Sequence, residues 1–171
     1  MILIICGVSG TGKSTIGSQL AKKLELPFYD GDDFHSESNM QKMQNGSPLN
    51  DLDRQPWLES LAKHIASWEI DGGAVLACSA LKETYRTILA SQANSNITWV
   101  MLDGTRDLLI KRLDSRSGHF FDSTLLDSQL NTLELPDYGW LVDIKDTPAT
   151  IVDTISIRLQ ELKLPNKTRN N

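Results

Sequence analysis

The sequence predicts an α/β fold, a doubly wound parallel sheet of five strands with helices on both faces. Three observations predict it. Short apolar runs alternate with longer stretches of helical periodicity. The first apolar run ends in a glycine-rich loop that leads into an amphipathic helix. The 171 residues show no internal repeat and no linker, and that length suits one domain around one core.

Taken in order, ILIIC (2–6) is a continuous apolar run, the pattern of a strand buried on both faces. Ile16, Leu20, Ala21 and Leu24 then recur at helical spacing, which predicts a helix over 13–24. A second strand is expected over 27–30 and a short helix over 36–45, closed by Asn45-Gly46. A longer helix over 52–68 carries Pro56 in its first turn, where proline costs little, and Gly72-Gly73 breaks it. AVLAC (74–78) is the third strand, followed by a helix over 81–90 for which Ser79 is the expected N-cap. ITWVML (97–102) is the fourth strand, with helices over 106–116 and 122–132 after it. WLVDI (140–144) is the fifth strand, 149–162 the last helix, and the polar tail from about 163 to 171 is expected to fray.

Composition narrows the function. A net charge of −5 argues against a nucleic-acid or anionic-membrane partner, which needs a concentrated positive surface. No apolar run approaches the length of a membrane span, and no secretory leader is evident, so a cytoplasmic location is the expectation. Cys6 and Cys78 lie in strand-like runs and read as small buried hydrophobes.

Chemistry enters with Gly7-Val8-Ser9-Gly10-Thr11-Gly12-Lys13-Ser14, a full match to G-x-x-x-x-G-K-[ST] between a strand and a helix. The glycines let backbone N–H groups converge on phosphate oxygens, and the helix N-terminus adds its positive end. Lys13 is expected on the β- and γ-phosphates, Ser14 on Mg²⁺ and Thr15 on the α-phosphate. The motif implies a nucleoside triphosphate with magnesium but leaves the reaction open. A regulatory GTPase is disfavoured because the sole Asn-Lys pair, Asn166-Lys167, lies in the tail. A motor-type ATPase rests on Asp103 after the fourth strand, which reads instead as a cap for the next helix.

The kinase reading rests on FYDGDDFH (28–35). Asp30 is expected to support magnesium, and Asp32 to face an incoming hydroxyl and accept its proton. Asp33 is open between that role and capping the following helix. Lys82 and Arg86, four residues apart, are read as one helix face that can clamp an anionic substrate, with a solvated face as the alternative. Arg112 and Arg116 repeat the spacing before Gly118 and suit a lid closing over phosphates. Arg54 sits near a helix N-terminus, where a cation is unfavourable, which points to another purpose.

GVSGTGKST, DGDDFH, PLNDLDRQPWL, CSALKETYR, RLDSRSGHFF and QLNTLE occur in that order, and together they resemble the gluconokinase family of small P-loop kinases. The resemblance runs from about residue 2 to residue 134. It implies a nucleoside-monophosphate-kinase-like fold with a helical lid over about 112–135, commonly as a homodimer. It implies ATP-dependent phosphorylation of D-gluconate at its 6-hydroxyl. Carried onto this chain, it implies nucleotide contacts from Gly7 to Thr15, with Lys13, Asp32 and Arg116 in catalysis. It further implies gluconate contacts from His35, Arg54, Lys82 and Arg86, and lid residues Arg112, Arg116 and His119, the last facing the substrate. A shikimate-kinase-like enzyme and a non-catalytic nucleotide-binding module are the alternatives. Related chains usually carry a longer segment than 137–149 before the last strand, which leaves the adenine-side contacts near Lys145 to Ala149 open.

Overall fold

A computed structural model describes residues 1–117 and 123–163, with the side chains of Arg116, Ser117 and Lys163 excluded. The strands are β1 (Ile2–Cys6), β2 (Phe28–Asp30), β3 (Ala74–Ala77), β4 (Thr98–Asp103) and β5 (Trp140–Asp143). They form one parallel sheet in the order β2-β3-β1-β4-β5. The helices are α1 (Lys13–Leu24), α2 (Glu37–Gln44), α3 (Asp51–Ile70), α4 (Glu83–Ala90), α5 (Arg106–Ser117), α6 (Ser123–Thr132) and α7 (Pro148–Lys163), with a single 3-10 turn at Gly31–Phe34.

Chain direction explains the two layers. From β1 the chain moves outward past β3 to β2, then steps back across the sheet through β3 to β4 and β5. Right-handed crossovers place helices on opposite faces when the direction reverses. Accordingly α1 packs with α7, and α3 packs with α4. The reversal opens a crevice at the carboxyl end of β1, where ligands of such sheets sit.

The core follows from the apolar runs. β1 and β3 are buried throughout, and Ile16 and Leu20 of α1 and Leu58, Leu61 and Ile65 of α3 close over them. Cys6 and Cys78 are buried and unpaired, and burial pushes the Cys78 thiol up to about 12, so both serve as neutral packing groups. No helix among the described residues is long and apolar enough to cross a membrane.

Local chemistry departs from expectation at two helix starts and decides a third that was open. Ser36, not Asp33, caps α2 by accepting from the Asn39 N–H. Thr105, not Asp103, accepts from the Leu108 N–H at the start of α5. Ser79 does not cap α4: the helix begins four residues later, with Lys82 at the cap position. Ala80 at φ 41° holds the intervening chain in a turn, and the Glu134 carboxylate accepts from the Glu83 N–H at 2.7 Å. A carboxylate there also suits the positive end of α4.

Candidate active site

The phosphate loop grows directly out of β1. Its backbone bends back at Gly7, where φ is 140°, and a Cβ there would lie 2.6 Å from the Leu102 carbonyl oxygen. Glycine is therefore required by conformation and by space. The Gly7 N–H donates to Ser79 O at 3.3 Å, tying the loop to the end of β3. Val8 O gathers the Thr11 hydroxyl at 2.8 Å and the Lys13 ammonium at 3.1 Å. These bonds curl the loop around the N-terminus of α1, the arrangement that binds phosphate. Burial lowers the pKa of Lys13 from its ordinary value, and the Asp32 carboxylate opposes that shift.

β2 delivers the acids. Asp30 ends the strand, and its carboxylate does two jobs: it accepts from the Ser14 hydroxyl at 2.5 Å and from the Asp32 N–H at 3.1 Å. The second bond caps the 3-10 turn and leaves the Asp32 side chain free to face the cavity. Asp32 is open to solvent at the cavity mouth. The surrounding protein still desolvates it enough to raise its pKa, and Lys13 pulls the other way. A raised pKa makes a carboxylate a better proton acceptor.

The 3-10 turn is held from below. Trp57 Nε1 donates to Gly31 O at 2.8 Å, and a Cβ on Gly31 would meet Ala77 O at 2.9 Å. His35 stacks on Trp57 with ring centroids 4.1 Å apart. Desolvation, then the charge of Arg54, lowers its pKa to about 4, so the ring is neutral near pH 7. Asn39 Nδ2 lies 3.4 Å from His35 Nδ1 and can only donate, which leaves the ring proton on Nε2.

These groups line one cavity of about 200 Å³. Ser9, Lys13 and Ser79 come from the strand-end loops, Asp32, His35, Arg54 and Trp57 from the β2–α3 segment, and Leu125, Ser128 and Gln129 from α6. A second cavity, lined by Thr11, Gly12, Thr15, Arg112, Ser115, Pro148 and Ile151, lies on the other side of the phosphate loop. Arg112 spans that side, donating to Thr11 O at 3.5 Å and to Ile144 O. Pro148 falls in the stretch from Lys145 to Ala149, whose contacts the sequence left open, and Ile151 was not legible as a site residue, because the start of α7 has no motif of its own.

The predicted cationic pair separates. Lys82 lies in a shallow groove next to the main cavity, shared with Arg54, and its ammonium binds the Asp51 carboxylate at 2.8 Å. Tyr85 donates to the same carboxylate. Arg86 instead turns inward and is 1% exposed. Its guanidinium donates to Ala80 O at 2.9 Å, Glu134 O at 2.9 Å, the Glu83 carboxylate at 2.9 Å and the Tyr138 hydroxyl at 3.1 Å. Four-residue spacing misled because α4 starts at Glu83, so Lys82 and Arg86 do not share a helical face. Arg86→Ala is therefore expected to cost about 3 kcal/mol of stability, the magnitude of breaking a buried charge network. A thermal or denaturant melt checks this; an unchanged melt with a raised KM for the acceptor returns Arg86 to the substrate.

Arg54 answers the question its position raised. Its guanidinium donates to Leu49 O, lies 5.6 Å from the Tyr85 ring centroid, and lines both the cavity and the groove. Its helix-start position is supported by the Asn50–Asp53 capping box. The side chain of Arg116, and His119 entirely, lie outside the described residues.

The metal can be judged from its donors. Ser14 and Asp30 present oxygen atoms only, which suits a hard cation. No cluster of three or more His, Cys, Asp or Glu side chains exists among the described residues to hold a metal alone. The oxygen pair of Ser14 and Asp30 fits Mg²⁺, which keeps waters and takes further oxygens from a nucleotide.

A parallel sheet in this order, with a phosphate loop after its central strand and paired acids on the neighbouring wall, defines a P-loop small-molecule kinase. A family model described as shikimate kinase matches residues 9–133. A Dictyostelium discoideum protein named probable gluconokinase is 45% identical over 168 residues, covering 91% of this chain and 84% of the relative. An Arabidopsis thaliana gluconokinase is 40% identical, covering 90% and 89%. The crystal structure of a Sinorhizobium meliloti gluconokinase matches with a TM-score of 0.86 at 39% identity, covering 94% and 91%. The chain belongs to the gluconokinase family, an enzyme family that uses ATP as phosphoryl donor.

Proposed function

We propose that this enzyme transfers the γ-phosphoryl group of ATP to the 6-hydroxyl of D-gluconate, giving 6-phospho-D-gluconate and ADP. The observation that carries the reading is the single cavity in which Lys13 and Ser9 of the phosphate loop face Asp32, His35 and Arg54. One wall suits a triphosphate end; the other suits a polyol bearing a carboxylate.

In this reading Gly7 to Thr15 bind the phosphates and Lys13 neutralises charge on the migrating group. Asp32 orients the terminal hydroxyl and takes its proton as oxygen 6 bonds to phosphorus. The bond to the ADP oxygen breaks on the opposite side. The protonated Nε2 of His35 donates to a substrate hydroxyl. Arg54, with Lys82 in the adjoining groove, receives the carboxylate; Arg86 does not take part. Mg²⁺, held by Ser14 and by Asp30, would neutralise phosphate charge when bound. Arg112 serves the nucleotide side. Arg116 and His119 are assigned to a lid over about 112–135, which excludes competing water. A cytoplasmic, homodimeric enzyme with no nucleic-acid or membrane partner completes the reading.

A coupled ADP-release assay with gluconate, shikimate or no acceptor tests it. The expected result is gluconate-dependent turnover with one 6-phosphogluconate formed per ADP. Equal turnover without acceptor, or turnover on shikimate alone, overturns it.

A further inference from the structure

Among the cavity residues without a role in this account, one is bonded directly to the phosphate loop. Gln129 of α6 reaches across the chain, and its Oε1 accepts the Ser9 N–H at 2.7 Å. Since a backbone N–H can only donate, the bond fixes the amide's orientation. The oxygen faces the loop, and the NH₂ group is turned away from it. That NH₂ group has no protein partner among the described residues, although Gln129 is half-buried and lines the cavity with Lys13 and Asp32. Leu125 and Ser128, on the same face of α6, line the cavity beside it.

The position of Ser9 sharpens the point. Thr11, Gly12 and Thr15 line the nucleotide-side cavity, whereas Ser9 lines the acceptor-side cavity with Asp32. A group anchored on Ser9 therefore stands where the phosphoryl group passes between donor and acceptor. A neutral amide donor there adds a hydrogen bond to a phosphoryl oxygen without disturbing the Lys13–Asp32 charge pair.

We propose that Gln129 is a catalytic residue: Oε1 anchors on the Ser9 N–H, and Nε2 donates to the phosphoryl group in transfer. The proposal rests on the phosphoryl-transfer reading above. It does not depend on which alcohol accepts.

Gln129→Glu separates the two halves of the amide. The carboxylate still accepts from Ser9, so the anchor and the melting temperature are retained. The donor is replaced by an anionic oxygen facing phosphate oxygens. Expected is a fall in kcat on the order of a hundredfold, with KM for ATP and for acceptor within about threefold, the loss typical of a transition-state donor. Gln129→Ala loses donor and anchor together and is expected to fall at least about tenfold. A purely structural anchor predicts that Gln129→Glu matches the wild type and only Gln129→Ala is impaired; that pattern overturns the proposal. Each variant is also measured for phosphate release to water from labelled ATP without acceptor. Absence of gluconate turnover in the wild type would sink the substrate assignment, while the ratio of Gln129→Glu to wild type in that hydrolysis still decides for or against Gln129.

Discussion

Lys13→Ala is expected to lose phosphoryl transfer by on the order of 10³-fold or more, the value of a cation placed on the transferred group. The expectation follows from geometry. Lys13 opens α1 at the mouth of the phosphate loop, and its ammonium folds over the loop, 3.1 Å from Val8 O. Burial already disfavours its charge, so phosphate oxygens gain much from it, and among the described residues Arg54 is the only other Lys or Arg lining the cavity. Lys13→Arg keeps the charge but replaces a compact point ammonium with a planar fork, and should rescue little. The check is kcat with and without saturating ATP, beside an ATP-binding measurement. Activity within a tenth of wild type would move the phosphates away from this loop.

Asp32→Asn is expected to lower kcat by about 10²–10⁴-fold while ATP binding stays within a few-fold, the range for removing a positioned general base. The two halves of the expectation come from different bonds. Asp32 N–H, not its side chain, supports the 3-10 turn by donating to Asp30, so the amide variant keeps the local fold. The carboxylate faces the cavity with a raised pKa and can accept a proton; the amide cannot. Unchanged kcat in a folded Asp32→Asn protein would leave the alcohol without its base and demote the residue to a surface acid. Asp30→Asn should behave differently, weakening magnesium dependence through Ser14 before it affects acceptor binding.

These two residues show what kind of chemistry is readable from a chain. The phosphate loop is contiguous and works through its backbone, so its spacing carries its geometry. Asp32 lies two residues beyond a strand that the alternation of elements predicts, and the sheet order puts that strand end beside β3, one strand away from β1. Arg86 was misread for the opposite reason. Its partners Glu134 and Tyr138 lie 48 and 52 residues away, and the turn at Ala80 delays α4 so that the i, i+4 argument starts from the wrong residue. Asp51, which takes the Lys82 ammonium, and Gln129, which takes a loop amide, are 31 and 120 residues from their partners. Neither contact leaves a local signature.

Sequence alone determined the strand and helix alternation, the cradle for a triphosphate and the acids that follow β2, because each depends on residues within a few positions of one another. The tertiary structure decided which cations face the cavity, which one is built into the core, and which side chain of α6 meets the loop. Those outcomes turn on where a helix begins and what it packs against, and a shift of a few residues in that start sends a guanidinium from solvent into the interior.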